Sequence, residues 1–280
     1  MSVIRFASWN VNSLKVRLPH LLQWLKTCDD RLEPIDLIGL QELKMTDDKF
    51  PIEDLEKAGF LSLFMGQKTY NGVAILVRKS ALTHLNQDQD TAFLNIQQNL
   101  PDFVDEQKRL LASTLHFKET APIRVICAYF PNGQAPGTEK FLYKLQWLLA
   151  LKEFLVSELQ KYPRLILMGD FNIAPQDEDV HDPAKWVGQN LVSPEERAFF
   201  NDFQDLGLID SFRLFDQEAK SFSWWDYRMM GFRRNAGMRI DHVMISQALK
   251  EDCTACVVDK TPRKWEQPSD HAPVILSLKK

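Results

Sequence analysis

The stretch Leu165-Ile166-Leu167-Met168-Gly169-Asp170-Phe171-Asn172 decides how the rest of the chain is read. Four apolar residues in a row, entered through Tyr162-Pro163 and left through Gly169, have the length and content of a strand buried in a core. The run ends on a carboxylate and an amide one residue apart. In extended chain, side chains at i and i+2 point the same way, so Asp170 and Asn172 can face a single ligand. Asp and Asn are also ordinary turn formers, and an Asx turn closing the strand fits the same letters.

Four more segments repeat the pattern of a short run ending on a residue able to bind a metal or carry a proton. Phe6 leads to Trp9-Asn10, Leu37-Ile38-Gly39-Leu40 to Gln41-Glu42, Arg239-Ile240 to Asp241, and Pro268-Ser269 to Asp270-His271. Each polar residue would stand at the rim of a sheet. If the rims meet, the chain has one acidic site.

Between these segments, strand-like and helix-like patterns alternate. Leu18, Leu21, Leu22 and Leu25 recur at spacings of three and four, which suits a helix laying one face on a sheet. Further strands are expected at Gly72 to Val77, Ile123 to Phe130, Phe222 to Trp225, Arg239 to Ile245 and Val274 to Leu278, and the longest helix at Phe141 to Leu159. Ser193-Pro194-Glu195-Glu196 opens another helix by cap chemistry, with Ser as N-cap, Pro at the first position and acids in the first turn. Mixed strands and helices throughout predict an α/β or α+β sandwich with sheets packed inside and helices outside.

At 280 residues, with 45% hydrophobic and 26% charged residues, the chain can bury a large core, and a single domain over residues 1–280 is expected. Met1-Ser2-Val3-Ile4-Arg5-Phe6 lacks the apolar core of a signal peptide, and no later stretch has the roughly 18 apolar residues a spanning helix needs. These features predict a soluble, cytoplasmic protein with no membrane partner. A net charge of −4 argues against a uniformly basic nucleic-acid coat and leaves room for a local basic face. Of Cys28, Cys127, Cys253 and Cys256, the last two form a C-x-x-C pair without a second pair or a His-x3-His to complete a zinc site, so all four are read as structural or incidental thiols.

A hard divalent cation such as Mg²⁺ takes oxygen donors, commonly one or two carboxylates, and keeps several waters. Glu42 with an amide from Asn10 would suffice. Adjacent Asp270 and His271 matter because the chain has only 6 histidines. A carboxylate such as Asp241 beside His271 would raise its pKa and fix its tautomer, giving an acid or base near neutral pH. Asp210, in Leu208-Ile209-Asp210-Ser211-Phe212-Arg213, is assigned to turn formation or an ion pair with Arg213.

Six segments in order, over nearly the whole chain, resemble the exonuclease III branch of the endonuclease/exonuclease/phosphatase superfamily. They are Ser8-Trp9-Asn10-Val11-Asn12, Gly39-Leu40-Gln41-Glu42-Leu43-Lys44, Tyr129-Phe130-Pro131-Asn132-Gly133, Gly169-Asp170-Phe171-Asn172, Arg239-Ile240-Asp241 and Ser269-Asp270-His271-Ala272-Pro273. The superfamily frame leaves DNA, inositol-phosphate and sphingolipid substrates open. Phe50-Pro51, Gly66-Gln67-Lys68, Pro194-Glu195-Glu196-Arg197, Ser223-Trp224-Trp225-Asp226-Tyr227-Arg228 and Gly237-Met238-Arg239-Ile240-Asp241 resemble the bacterial DNA-repair members.

That resemblance implies a four-layered α/β sandwich, two packed mixed β-sheets flanked by helices. It implies Mg²⁺- or Mn²⁺-dependent hydrolysis of DNA phosphodiesters by a monomer: cleavage 5′ to abasic sites, removal of 3′ blocking groups, and 3′→5′ exonuclease action on duplex DNA. It also implies roles: Glu42 as principal metal ligand, with Asn10 and Asp270 in support and Asp170, Asn172 and His271 as further ligands. Asp170 would orient or deprotonate the attacking water, and Asn172 would donate to the phosphate. His271, held by Asp241, would contact the scissile phosphate, with Tyr129 near the phosphate or leaving group. The stretch Tyr227 to Arg239 carries four arginines and no acid, interleaved with apolar residues. Arg228, Arg233 and Arg234 could neutralise DNA phosphates, and Trp224, Met238 and Ile240 would line a pocket for an extruded sugar. A non-DNA phosphodiesterase of the same fold would have no use for that stretch, and a non-catalytic DNA-binding relative would have lost at least one of these acids, amides or the histidine. Three departures stand out: Trp9 and Val11 around Asn10, expected to matter little; Asn132 where some members carry Gln; and a longer Thr27 to Pro34 segment, expected to be a surface loop.

Overall fold

A computed structural model of the chain describes residues 2–83 and 88–280; Met1 lies outside them. The strands are β1 (Val3–Asn10), β2 (Leu37–Gln41), β3 (Phe60–Met65), β4 (Val73–Arg78), β5 (Leu94–Gln98), β6 (Leu110–Leu115), β7 (Ile123–Tyr129), β8 (Leu165–Asp170), β9 (Leu208–Asp210), β10 (Trp224–Trp225), β11 (Gly237–Met238), β12 (Asp241–Ser246), β13 (Cys253–Val258) and β14 (Val274–Lys279). The helices are α1 (Leu14–Asp30), α2 (Ile52–Lys57), α3 (Gln89–Ala92), α4 (Glu139–Lys161), α5 (Pro183–Trp186) and α6 (Pro194–Asp205).

Twelve strands form two six-stranded sheets, in the orders β13-β14-β1-β2-β4-β3 and β5-β6-β7-β8-β12-β9. Each sheet holds one parallel pair, β1 with β2 and β7 with β8, and its other neighbours are antiparallel. The parallel pairs are the ones bridged by the long helices α1 and α4, because a parallel neighbour requires a crossover. The facing sides of the sheets share one apolar cluster, to which Phe6, Ile75 and Leu276 contribute from one sheet and Val125, Met168 and Val243 from the other. The outer side of the first sheet packs on α1 and α2 through Trp9, Leu21, Trp24 and Leu55, and that of the second on α4 and α6 through Phe130, Leu148, Phe171 and Phe200. Helix, sheet, sheet, helix are the four layers expected.

Gly39 allows the two sheets to approach: a Cβ there would stand 2.9 Å from both Cys127 Sγ and Met168 Sδ. Gly169 is under stronger constraint. Its Cβ would lie 1.8 Å from the carbonyl oxygen of Ala128, the residue beside it on β7. Only a glycine lets the parallel pair close one residue before Asp170. Ser193 caps α6 as expected, its Oγ accepting from Glu196 N while Glu196 Oε2 accepts from Ser193 N, a reciprocal capping box.

Several expectations change. The Thr27 to Pro34 segment is loop only in its second half, since α1 continues to Asp30 and buries Cys28. The run at Phe222 shrinks to the two-residue β10, paired with β11, and Arg239 and Ile240 stay outside any strand. Asp210 does make the expected turn, accepting from Phe212 N at 3.2 Å, but its ion-pair partner is Arg239 at 2.8 Å rather than Arg213. Arg213 reaches Asp179 and Glu178 instead. Strands β3, β5, β6, β9, β11 and β13 were not read from the sequence; Phe60–Met65 and Leu110–Leu115 are short, largely apolar runs that periodicity alone cannot assign to strand or helix. All four cysteines are free, and among the described residues no helix is long and apolar enough to cross a membrane.

Gly169→Ala should lower the free energy of unfolding by about 3 kcal/mol or more, as backbone clashes of this kind do. Chemical denaturation measures it; a variant as stable as the parent would show that β7 and β8 can separate at no cost.

Candidate active site

The polar residues that punctuate the apolar runs gather at one rim for a topological reason. The carboxyl ends of β1 and β2 lie side by side, Asn10 opposite Gln41, as do those of β7 and β8, Tyr129 opposite Asp170. Strand β12 runs antiparallel to β8 and begins at the same rim, with Asp241 opposite Asp170, and β14 begins beside the end of β1, Val274 opposite Ser8. Asp241 therefore begins its strand, and Asp270-His271 precedes β14, so neither ends a strand. An antiparallel neighbour delivers its first residue where its partner delivers its last.

Asn10 spans the two sheets. Its Nδ2 donates to Glu42 Oε1 at 2.8 Å and to Asp170 Oδ2 at 2.9 Å, while its Oδ1 accepts from Asn12 N at 3.0 Å. Lys44 pairs with Glu42 Oε2 at 2.8 Å and also donates to Asn12 Oδ1 at 2.5 Å. Asp170 Oδ1 accepts from Asn172 N at 2.9 Å, so the Asx turn and the rim carboxylate, which the letters left as alternatives, are both present. Glu42 and Asn172 have φ of 55° and 51°, left-handed conformations that non-glycine residues adopt at a cost and that cluster at functional sites.

His271 faces Asp170 from the segment just before β14. Its Nδ1 lies 3.0 and 2.9 Å from the two Asp241 oxygens, and its Nε2 is 3.8 Å from Asp170 Oδ2. Burial alone would lower the imidazole pKa, but the charges of Asp241 and Asp170 and the hydrogen bond to Asp241 outweigh it, raising His271 to about 10. Burial also dominates at Asp170, raising its carboxyl to about 7; Asp241 and Glu42 add to that rise, while His271 and Asn10 oppose it. Tyr129 is pushed well above its ordinary range by burial and then by the Glu42 and Asp170 charges, so its hydroxyl stays protonated.

Three supporting residues escaped the sequence reading. Ser223 Oγ donates to Asp241 Oδ2 at 2.6 Å and accepts from Asp241 N and Ile240 N. Ser269 Oγ donates to Asn10 O at 2.7 Å and accepts from His271 N at 3.2 Å. Trp9, expected to matter little, donates its indole N–H to His271 O at 3.2 Å. Hydroxyls and an indole carry no signal by spacing. Only position 9, where the chain departs from its resemblance, offered a hint.

Glu42, Asp170 and His271 each offer one ligand atom within 4.8 Å of the others. An imidazolium has no lone pair for a cation, so the two carboxylates are the donors that suit a hard divalent ion. The other expected donors already hold hydrogen bonds, one to each accepting oxygen, which leaves a second lone pair on each. Asn10 turns its amide nitrogen, not its oxygen, to the carboxylates. Asp270 accepts from Asn12 Nδ2 at 2.8 Å and Trp224 Nε1 at 3.0 Å. Asn172 accepts from Asn132 Nδ2 and donates to Phe130 O.

These groups open into a cleft of about 670 Å³, to which Tyr129, Asn132, Trp224, Arg228 and Ile240 also contribute. Met238 does not reach it; fully buried, it packs with Val180, Leu191 and Ile240 below Trp224. Among the four arginines of the basic stretch, Arg233 and Arg234 are exposed, and Arg228 is exposed but paired with Asp226 at 2.7 Å. Arg239 is not on that surface. It is buried between Asp179 and Asp210, and their charges raise its pKa despite burial.

The endonuclease/exonuclease/phosphatase family matches residues 7–271. The chain is similar to exodeoxyribonuclease III of Haemophilus influenzae, 36% identical over 99% of this chain and 100% of the relative. Among solved structures it resembles a 3′ phosphatase from Neisseria bound to product DNA hairpin, with TM-score 0.88, 40% identity and coverage of 99% of this chain and 100% of that one. It also resembles an AP endonuclease from Archaeoglobus fulgidus, with TM-score 0.87, 30% identity and the same coverage.

With no cation bound, the two pKa shifts act in one direction. Native Asp170 keeps a proton that the unfolded chain releases between pH 3.8 and about 7, and native His271 does so between 6.5 and about 10. The stability each group contributes therefore falls as pH rises through its window. In EDTA, Asp170→Asn should lose less stability than the parent across the lower window, as thermal melts over a pH series would report. Parallel curves would mean that Asp170 titrates as an ordinary exposed carboxylate.

Proposed function

The chain belongs to the endonuclease/exonuclease/phosphatase family, and we propose that it is a metal-dependent DNA-repair phosphodiesterase of exonuclease III type. It acts on double-stranded DNA, cleaving 5′ to abasic sites, removing blocking groups from 3′ ends and degrading the strand 3′→5′. The observation that carries this reading is the His271–Asp241 pair facing Asp170 and Glu42 on the floor of one open cleft. The similar proteins are named for exonuclease, 3′ phosphatase and AP endonuclease action, three outcomes of one hydrolysis at different positions on a strand.

Held by Glu42 and Asp170, Mg²⁺ or Mn²⁺ would polarise a phosphoryl oxygen and offset the charge of the leaving oxygen. Asp170 orients the attacking water and accepts its proton as oxygen bonds to phosphorus and the P–O3′ bond breaks. His271, kept cationic by Asp241, faces the non-bridging oxygens, where negative charge grows in the transition state. Asn172 gives one amide hydrogen to Phe130 O and has a second for the phosphate. Tyr129, held protonated, stands as a donor near the leaving group. Asn10 steadies both carboxylates through its amide hydrogens, and Asp270 fixes Asn12 and Trp224 beside them. Trp224 and Ile240 border the sugar, with Met238 as the packing beneath them, and Arg228, Arg233 and Arg234 neutralise backbone phosphates. Every residue comes from one chain, so a monomer suffices.

Purified protein assayed on three end-labelled duplexes, abasic, 3′-phosphate and undamaged, should cleave all three in Mg²⁺ and none in EDTA. Turnover that survives EDTA would remove the roles given to Glu42 and the ion. Asp170→Asn and His271→Ala should each lower kcat about 10²- to 10⁴-fold while leaving DNA binding nearly intact; near-parental cleavage by either would overturn the mechanism. Arg233→Ala with Arg234→Ala should weaken DNA binding and reduce the slope of log affinity against log salt by about 2, and an unchanged slope would place the duplex elsewhere.

A further inference from the structure

One wall of the cleft rests on an ion pair that takes no part in the chemistry described above. Lys144 on α4 and Glu196 on α6 pair with side chains 0% exposed. The Lys144 ammonium also donates to the backbone carbonyls of Asn172, at 2.7 Å, and Asn132, at 3.3 Å. An ammonium has three hydrogens, and here it meets three acceptors. Asn132 and Asn172 join their own side chains, Nδ2 to Oδ1 at 3.0 Å, and both line the cleft. The Glu196 carboxylate accepts from Leu191 N at 3.1 Å and Ser193 N at 3.0 Å, closing the loop whose Gln189 and Asn190 also line the cleft. Asn190 completes the circuit by donating to Asn132 Oδ1 at 3.1 Å.

The pair thus ties together the turn after β7, the turn after β8 and the loop before α6. Stability alone does not call for a charged pair here, since replacing a buried ion pair with apolar side chains of similar volume is often neutral or stabilising. Apolar side chains could pack α4 against α6. They could not aim hydrogen bonds at two chosen carbonyls, nor hold Asn172 at a φ of 51°.

We propose that Lys144 and Glu196 are positioning residues for the hydrolytic step, locking the Asn172 backbone and the Asn132 side chain so that the Asn172 amide meets the phosphate in one orientation. The inference rests on the hydrolase reading above. Its effect falls on kcat and not on KM, because the pair touches neither the DNA nor the basic loop.

The deciding variant is Lys144→Met combined with Glu196→Leu, which removes both charges and leaves neither one buried alone. Its melting temperature should lie within about 4 °C of the parent, its KM should be unchanged, and its kcat should fall roughly 10²-fold, as misplacements of about an ångström do. A folded double variant with parental kcat would make the pair purely structural and overturn the proposal. If the double variant does not fold, Asn132→Ala decides, since that side chain is exposed and its removal strands no buried charge; kcat should fall roughly tenfold at unchanged KM, and parental kcat would again overturn the proposal. The parent separates the two readings. A parent inactive on all three duplexes refutes the hydrolase reading and this inference with it, whereas an active parent matched by its variant refutes this inference alone.

Discussion

A single side-chain amide joins the two halves of the site. Asn10 ends a strand of the first sheet, and its two amide hydrogens reach Glu42 beside it and Asp170 on the second sheet. Two carboxylates brought this close out of water would repel, and the N–H pair between them supplies partial positive charge without adding a full one. The bridge can form only because the sheets pack through one apolar core, with Gly39 giving the sulfur atoms of Cys127 and Met168 the room a side chain would take. Every other part of the site takes its place relative to that bridge.

Charge around the bridge is arranged in layers. Asp241 is buried, oriented by Ser223 and turned to His271, so the imidazole is cationic where burial alone would have left it neutral. Asp170 lies on the other side of the imidazole, 3.8 Å from His271 Nε2, and in the absence of a cation it holds its proton up to about pH 7. A buried carboxylate of such high proton affinity also favours another positive charge, which is how an acidic rim comes to hold a divalent ion. Beneath Asp241, Arg239 is enclosed by Asp179 and Asp210, so the strand that begins at Asp241 is anchored by charges that never meet the cleft.

The apolar runs were legible, and so were the acids, amides and histidine that punctuate them, because a buried strand and a polar rim residue announce themselves locally. Ser223, Ser269 and Trp9 were not, because a hydroxyl or indole becomes part of a site only when its partner arrives from a distant segment. Trp9 and His271 O lie more than 250 positions apart in the chain. Within the basic stretch, Arg228, Arg233 and Arg234 are expected alike to face DNA phosphates. Arg233 and Arg234 are exposed, Arg228 is held by Asp226, which lies just before that stretch, and Arg239 turns inward. Which face a residue occupies in an irregular loop has no period from which to read it. Met238, expected in the cleft, pairs its backbone with Trp224 through β11, and its side chain packs under that indole for the same reason.

By itself the sequence determined the class of fold, the residues able to do chemistry and their order along the chain, since periodicity, turn chemistry and side-chain type are local properties. Tertiary structure alone decided which atoms of those residues face one another. The antiparallel courses of β12 and β14 put Asp241 at the start of one strand and His271 just ahead of the other, both at the rim where β1 and β8 end. Packing of the sheets then turned Asn10 into a donor between two carboxylates, made His271 a cation and committed Asp270 to Trp224 and Asn12. Hydrogen-bond direction and protonation depend on distances of a few ångströms between segments remote in sequence, and those distances exist only once the core has closed.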